Sequence, residues 1–198
     1  MIKAVINSVE YGQDKISYCK TYGCLFSGNT LSVGGVVSRQ IDITLINPGD
    51  IPRGSKITLY DGDEMQGEFW IDTRQDAENG SLSIQGYDAI LKAEQVYQKE
   101  GDTGTWPRTM KTVVSDIASK IGVPLDERNE IGNYNVEYPN DYTMREILSY
   151  IAAANGGNWI ITKNGKLYLC PIYLPEETNY LIDHEGNSIV FGEVRLIV

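Results

Sequence analysis

The residues best suited to nucleophilic or metal chemistry in this 198-residue chain are one histidine and three cysteines. His184 lies in a predicted turn between two strands, where an exposed polar side chain is the ordinary finding. A Ser/His/Asp or Cys/His mechanism would depend on this histidine, and Cys170 is the only cysteine near it in sequence. Cys19 and Cys24 have no neighbouring histidine, so a zinc site lacks ligands. The pattern favours small, partly buried thiols.

The carboxylates offer a second kind of chemistry, because a pair of them can hydrolyse glycosides by acid/base catalysis. Asp61 and Asp63 lie in a predicted turn, and Asp72 and Asp76 flank the end of a predicted strand. A solvated acidic surface explains these positions, although composition leaves a glycosidase open as an alternative. The segment 61–64 also lacks the residue register of a calcium-binding loop.

Two remaining patterns are a glycine-rich segment and a set of aromatic residues. Residues 101–104 are not a phosphate loop, because no Gly-Lys-Ser/Thr follows them. Five aromatic residues could form a surface that contacts carbohydrate or protein, or could simply pack in a core or interface. They are Tyr87, Tyr97, Trp106, Tyr138 and Tyr142. We therefore assign no catalytic, cofactor-binding or metal-binding residue, expect no cofactor, and predict a protein that is not an enzyme.

Net charge limits the partners of the chain. It carries 17 Lys and Arg against 27 Asp and Glu, a net charge of −10. This balance argues against specific nucleic-acid binding through phosphates, which requires basic patches. It is compatible with a negatively charged channel through which a polyanion passes without sticking. No apolar stretch approaches the roughly 20 residues of a membrane span, and residues 1–6 lack a signal-peptide core, so we expect cytosolic folding without membrane insertion.

Thr143 to Leu169 is the best-defined folding unit that could position a site. Thr143 and Glu146 fit a capping box, and an apolar stripe over 144–151 predicts a helix. Asn155-Gly156-Gly157 is expected to end that helix, since glycine tolerates a left-handed conformation. Lys163-Asn164-Gly165 then predicts the turn of a β-hairpin.

A second helix is predicted from Thr109 onward. Apolar residues from Met110 to Ile121 trace one helical stripe, which Gly122 and Pro124 end. Residues 136–138 are expected to be extended. The two helices and the hairpin should bury their apolar faces together as a compact α+β subdomain.

The first half of the chain reads as short strands joined by turns. Polar turn residues separate runs of alternating or β-branched residues, a pattern typical of a small barrel or sandwich. The predicted strands cover residues 2–11, 14–21, 39–46, 56–60, 65–73 and 80–85, with a loop over 23–35. Asp88 is expected to cap a short helix, Ala89 to Glu94.

The predicted fold class is α+β, mainly β: a small β-barrel followed by a two-helix and β-hairpin subdomain, with the start of a possible second barrel. The predicted domains are a tube-type barrel over 1–95, an insertion over 96–172, and strands over 173–198. These last strands, at 179–182 and 188–198, would belong to a second barrel or return to the first. The apolar ending at Val198 would also suit a chain that continues in the natural protein.

The order of several weak motifs resembles a known protein family. The runs Glu68–Asp72 and Gly80–Leu91 look like the barrel-closing segment of phage tail hub proteins. Gly104-Thr105, the Val114–Ala118 helix, the Thr143–Leu148 helix and the glycines at 156, 157 and 165 follow in the same order. Over about residues 35–170 the chain is similar to baseplate hub and tail-associated structural proteins of prophages. Related are the late control protein D family and the N-terminal part of type VI secretion spikes.

The resemblance implies a structural role. Such hubs pair two similar β-barrels with α/β insertions and assemble as trimers, as a ring that continues the tail tube. The ring holds a spike, fibre or lytic module on its other side, and DNA passes through its lumen. This sequence offers one full barrel and no fused lytic domain. We therefore expect a virion tail-tip component, assembled in the bacterial host cytoplasm, that contacts its own copies, a tube or distal tail protein, and a spike or fibre protein.

Two alternatives stay open from the sequence. One is a cell-wall hydrolase of the tail tip, which would need convergent carboxylates with divergent pKa values. The other is a carbohydrate-binding module on the virion, which would use exposed Trp or Tyr side chains.

Overall fold

A computed structural model describes residues 1–25, 32–77, 79–98 and 104–172, together with the backbone of 190–191 and 194–195. The fold is α+β and mainly β, as the sequence predicts. It comprises one large sheet, a smaller α+β unit and short strand pairs. The glycine-rich segment 101–103 and the predicted turn around His184 lie outside the described residues.

The large sheet contains seven antiparallel strands in the order β2-β1-β6-β7-β8-β5-β3. The strands are β1 (Ile2–Ile6), β2 (Val9–Tyr11), β3 (Ile16–Tyr22), β5 (Gln40–Ile46), β6 (Lys56–Asp61), β7 (Glu64–Asp76) and β8 (Ser81–Tyr87). Their apolar residues alternate, so one face is buried and the other is polar. The buried face forms a core around Ile43, Ile57 and Phe69.

The sheet is strongly curled but open. Its edge strands β2 and β3 are joined by only four residues, 12–15, which can span at most about 18 Å between Tyr11 and Ile16. A flat seven-stranded sheet would separate its edges by roughly 29 Å, so the sheet must bend back on itself. Bulges at Leu59/Tyr60 and Ile71/Thr73 provide such bends. No ladder joins β2 to β3 in the part of the chain described, so barrel closure is not confirmed.

The prediction of a single strand over residues 2–11 is wrong, because this segment forms a hairpin of β1 and β2. Asn7 and Ser8 both have positive φ, 48° and 67°, which turns the chain between β1 and β2. Two consecutive positive φ values match the right-handed twist of the flanking strands. Asn7 donates its side-chain amide to the Ser55 hydroxyl at 2.9 Å, a distant partner that sequence inspection does not reveal.

The α+β unit is a three-stranded sheet covered by helices. Its strands have the order β12-β11-β4, and β4 runs parallel to β11. The core lies between this sheet, the two helices and a short 3-10 helix, with Trp159 fully buried at its centre. The elements are β4 (Val36–Val37), the 3-10 helix (Ala89–Glu94), α1 (Met110–Ile121), α2 (Met144–Ala154), β11 (Gly157–Ile161) and β12 (Leu167–Pro171). The predicted joint burial of two helices and a hairpin is confirmed.

The predicted local signals in this unit are also confirmed. Thr143 and Glu146 form the capping box of α2, with the Thr143 hydroxyl accepting from the Glu146 N–H at 3.1 Å. Gly156 has φ 67° just beyond the helix, and Gly122 has φ 79° after α1. In the hairpin turn, Gly165 adopts φ 74°. The strand β4 was missed, because two residues between the predicted loop 23–35 and the predicted strand 39–46 leave no periodic pattern.

Two short strand pairs complete the fold. β9 (Arg108–Thr109) pairs with β10 (Asn135–Val136), which shares only Val136 with the segment 136–138 that was expected to be extended. β13 (Val190–Phe191) pairs with β14 (Val194–Arg195). The predicted strand over 188–198 therefore contains two short antiparallel strands instead of one. The predicted strand at 179–182 lies outside the described residues, and the domain boundaries stay a prediction.

Asp88 joins the large sheet to the α+β unit. Its side chain is 1% exposed and accepts from the Ser38 hydroxyl at 2.8 Å, the Arg39 N–H at 2.8 Å and the Ile90 N–H at 3.1 Å. Ser38 and Arg39 lie between β4 and β5. Ile90 lies in the first turn of the 3-10 helix, which confirms Asp88 as the N-cap of that helix. Burial raises the pKa of Asp88, and the hydrogen bonds from Arg39, Ser38 and Ile90 act against that rise.

Replacing Asp88 by alanine should destabilise the protein by at least about 2 kcal/mol, because three buried donors lose their acceptor. Asp88→Asn keeps one acceptor oxygen and should cost less. The free energy of unfolding, measured by urea denaturation, checks both. The exposed Asp63→Ala is the matched control and should stay within about 0.5 kcal/mol of the parent protein. Equal costs at positions 88 and 63 would show that this junction contributes little.

The two glycines after α2 should respond differently to substitution. A Cβ at Gly156 meets open space, so Gly156→Val should cost about 1–2 kcal/mol from left-handed backbone strain alone. A Cβ at Gly157 would lie 2.7 Å from the Cys170 carbonyl oxygen, so Gly157→Val should cost more. Gly12→Ala, where only the Asp14 carboxylate is close, should change little. Urea denaturation of the three variants tests this order, and a harmless Gly157→Val would contradict it.

Candidate functional site

The most distinct candidate site is an apolar groove in the α+β unit, which we name the tyrosine groove. It runs between the segment 135–139 and helix α2, and its volume is about 280 Å³. Most of the exposed atoms of its lining are apolar. The lining residues are Met110, Asn135, Val136, Glu137, Tyr138, Pro139, Tyr142, Ile147, Tyr150 and Ile151.

Hydrogen bonds fix the non-helical wall of the groove to both helices. The Met110 N–H, at the start of α1, donates to the Tyr134 carbonyl at 2.9 Å. Asn155, at the end of α2, accepts from the Gly132 N–H at 2.7 Å and donates to the Ile151 carbonyl at 2.7 Å. An irregular segment is thereby held in one place, as a preformed wall requires.

Several tyrosine side chains at and near the groove are exposed. Tyr134, Tyr138, Tyr142 and Tyr150 are all exposed, and Tyr150 is 61% exposed although it lies on a helix. The rings of Tyr142 and Tyr150 meet edge to face with centroids 5.7 Å apart. Such an arrangement is favourable for aromatic quadrupoles and limits the freedom of both side chains.

A second row of rings connects the groove to the core. Tyr138 meets Trp106 edge to face at 5.8 Å, and Trp106 meets Tyr97 at 6.3 Å. Tyr97 is 2% exposed, and the Lys120 ammonium lies 4.4 Å from its ring centroid. Burial, followed by the neighbouring Asp116, raises the pKa of Tyr97 to about 12. Tyr97 is therefore a structural support and not a proton donor at neutral pH.

Four of the five predicted aromatic residues thus come together, and one does not. Tyr97, Trp106, Tyr138 and Tyr142 line the groove or the row beneath it, whereas Tyr87 lies on β8 of the large sheet. Tyr134 and Tyr150 were missed by sequence reasoning. Tyr150 could have been found, because it is a large aromatic residue off the apolar stripe of a predicted helix. These two residues belong to the groove region through tertiary packing.

The rim of the groove is acidic. Glu137 lines it and Asp141 precedes Tyr142; both side chains are exposed and form no ion pair within the described residues. The lining contains no Lys or Arg. The groove therefore combines an apolar floor with uncompensated negative charge.

A second concave surface lies on the polar face of the large sheet. This open depression of about 440 Å³ crosses β3, β5, β7 and β8. Asp42 is held at its floor by amide donors from Gln40 at 2.8 Å and Gln85 at 3.4 Å. Thr44 and Ser83 bond hydroxyl to hydroxyl across the strands at 3.2 Å. The surface is largely polar, and its charged side chains are Asp42 and Arg74.

The acidic residues considered for catalysis do not converge. Asp61 is 57% exposed and bonds to the N-terminal ammonium at 2.8 Å. Asp63, Asp72 and Asp76 are exposed on the sheet surface and its turn. Glu64, next to them, forms an ion pair with Lys163 of the hairpin turn, which lowers the pKa of Glu64. In the described residues, no group of three or more His, Cys, Asp or Glu side chains could hold a metal ion.

Other shifted carboxylates have structural causes. Hydrogen bonds from Arg128 lower the pKa of Asp126 to about 2. Bonds from the Thr143 backbone and hydroxyl lower the pKa of Glu146, which completes the capping box. With Asp88 at the junction, these groups lie in separate places and do not form an acid/base pair.

The cysteines do not assemble into a reactive centre. None of the three forms a disulfide. Cys19 packs against the core of the large sheet, and burial raises its pKa, which disfavours the nucleophilic thiolate. Cys170 lies on β12 of the other sheet, and His184 falls outside the described residues. No helix in the described part of the chain is long and apolar enough to cross a membrane.

Comparison with known proteins gives matches in structure alone. No protein family and no curated protein matches the sequence. The 43 kDa tail protein of prophage MuSo2 from Shewanella oneidensis superposes with a TM-score of 0.67 over 91% of this chain and 58% of its own, at 15% identity. A tail protein from Neisseria meningitidis MC58 gives 0.58 over 95% of this chain and 52% of its own, at 12% identity.

A third match is prophage tail protein gp18 from Listeria monocytogenes EGD-e, with a TM-score of 0.55 over 92% of this chain and 55% of its own, at 14% identity. The fold is that of phage tail proteins. The chain spans a little over half the length of these tail proteins. At such low identity these comparisons show a shared fold alone.

Asn155 should be the main anchor of the groove wall. Asn155→Ala removes the acceptor of Gly132 and leaves the wall less restrained, at a cost of about 1–3 kcal/mol. Amide hydrogen exchange should accelerate in residues 132–138 more than in the large sheet. The exposed turn variant Asn164→Ala is the control and should leave that exchange unchanged. Unaltered protection of 132–138 in Asn155→Ala would refute this role.

Proposed function

We propose that the chain is a structural component of a phage or prophage tail, placed at the tail tip or baseplate hub. It would join the tail tube to the distal spike, fibre or lytic module by protein–protein contacts, without catalysis. The observation that carries this proposal is the superposition over 91% of the chain on a prophage tail protein. The same likeness supports a place in the virion tail, and assembly in the host cytoplasm is part of the proposal.

The surfaces of the molecule support a contact role. The large sheet has two free edges among the described residues, β2 and β3, and such edges are ready to pair with another chain. The tyrosine groove offers a separate apolar surface on the α+β unit. Two contact surfaces on different elements suit a component with neighbours on more than one side.

The charge of the chain supports a position next to passing DNA. At −10, the protein would repel phosphates, and the depression on the large sheet is lined mainly by amides and hydroxyls, with Asp42 and Arg74 as its charged residues. A lumen with these properties would let DNA pass without specific binding. We propose self-association as a trimer in the full-length protein, with a tube or distal tail protein and a spike or fibre protein as further partners.

Purified tails from the source phage test this role. Quantitative mass spectrometry should find the chain in a fixed copy number that is a multiple of three, and immunogold labelling should place it at the distal end. The absence of the chain from purified tails, or its presence only inside lysed cells, would overturn the proposal. The isolated protein should release no fragments from purified peptidoglycan; release that depends on one carboxylate would replace the structural role by hydrolysis.

A further inference from the structure

The tyrosine groove is slightly smaller than a typical small-molecule pocket and is large enough for one or two side chains. Ligand pockets usually enclose roughly 300–1,000 Å³, and this groove holds about 280 Å³. It is also lined by exposed aromatic rings, with Tyr142 at 44% and Tyr150 at 61% exposure. Exposed tyrosines around a preformed apolar floor are typical of protein contact sites, where aromatic residues supply most of the binding energy.

The chemistry of the floor favours a peptide over a saccharide. A saccharide presents many hydroxyls, and burying them without hydrogen bonds is costly. The floor consists of Met110, Val136, Ile147 and Ile151, and the exposed atoms of the lining are mostly apolar. An apolar side chain fits such a floor without leaving polar groups unpaired.

The rim adds a charge preference. Some acids elsewhere in this unit are paired with cations, Asp116 with Lys120 and Glu127 with Lys166. Glu137 and Asp141 beside the groove have no such cation within the described residues. Uncompensated charge at a contact surface selects partners of opposite sign.

We propose that the tyrosine groove binds a segment of a neighbouring tail protein in which one or two large apolar side chains are flanked by Lys or Arg. The apolar side chains enter between segment 135–139 and α2, and the cations meet Glu137 and Asp141. The identity of the partner as a tail protein rests on the proposed function, whereas the chemistry of the segment rests on the groove alone.

A random peptide display library, selected on the whole immobilised chain, provides the probes. Selected peptides are then synthesised with a fluorescent label, and their binding is measured by anisotropy against the parent protein and four variants. The site variants are Tyr150→Ser and the double change Glu137→Lys with Asp141→Lys. The matched controls are Tyr22→Ser, an exposed tyrosine of β3, and Asp63→Lys, an exposed turn acid.

The selected peptides should combine apolar residues with an excess of Lys or Arg. Both site variants should weaken binding about tenfold or more, and both controls should change it by less than about twofold. Raising the salt concentration should weaken binding to the parent protein and not to the double variant. Circular dichroism and thermal melting of all variants should match the parent, because the changed side chains are exposed.

Three results would overturn the inference. These are a selection without binders, binders that the site variants leave unaffected, or glycan-array binding that Tyr150→Ser abolishes in place of peptide binding. Failure here is separable from failure of the tail role. A chain present in tails that binds no such peptide refutes the groove inference alone, and peptide binding by a chain absent from tails refutes the tail role alone.

Discussion

The fold depends on one buried carboxylate. Asp88 ends β8 and begins the 3-10 helix, while its oxygens hold the Ser38 hydroxyl and the Arg39 N–H of the link between β4 and β5. Desolvation opposes its charge, which is why its pKa is raised, and three hydrogen bonds compensate for that cost. Through this group, the strand that enters the large sheet and the strand that leaves it are tied together. The chain passes between the α+β unit and the sheet at residues 38–39 and again at Asp88. Hydrogen bonds between these two segments hold the α+β unit against the sheet.

Arg39 extends the same junction into the sheet. Its guanidinium donates to the Gln66 carbonyl at 2.9 Å and lies 5.5 Å from the centre of the Phe69 ring. Burial lowers the pKa of Arg39, and the nearby Asp88 carboxylate counteracts this effect. Placing a buried carboxylate near a partly buried guanidinium costs desolvation energy, which the hydrogen bonds of both groups offset. The Glu64–Lys163 ion pair adds a second link, at the surface between the β6–β7 turn and the hairpin turn.

The two concave surfaces that this arrangement creates differ in chemistry. The depression on the large sheet is lined by amides and hydroxyls bonded to one another, so it offers little to an apolar partner. The tyrosine groove has an apolar floor and an acidic rim, and it is held by Asn155 and by the backbone bond of Met110. In the proposed tail role, the groove would serve for lasting contacts with a neighbour, and the polar depression would not hold an apolar partner.

The sequence by itself determined the local features of this protein. The capping box at Thr143, the Asp88 cap, the glycine ends of both helices and most of the strands follow from hydrogen bonds and periodicities within a few residues. The fold class and the likeness to tail proteins followed from the order of these elements.

Three features depend on contacts between distant parts of the chain, and only the tertiary structure decided them. β4 exists because Val36 pairs with Trp159, 123 residues further on, and not because of any local pattern. The large sheet curls because four residues must connect its two edges, a constraint visible only once the strand order is known. The tyrosine groove joins residues from three distant segments, so no spacing in the sequence could reveal it. Local interactions determine the helix caps, the turns and most of the strands. Contacts between distant elements determine the shape of the sheet and the position of the groove.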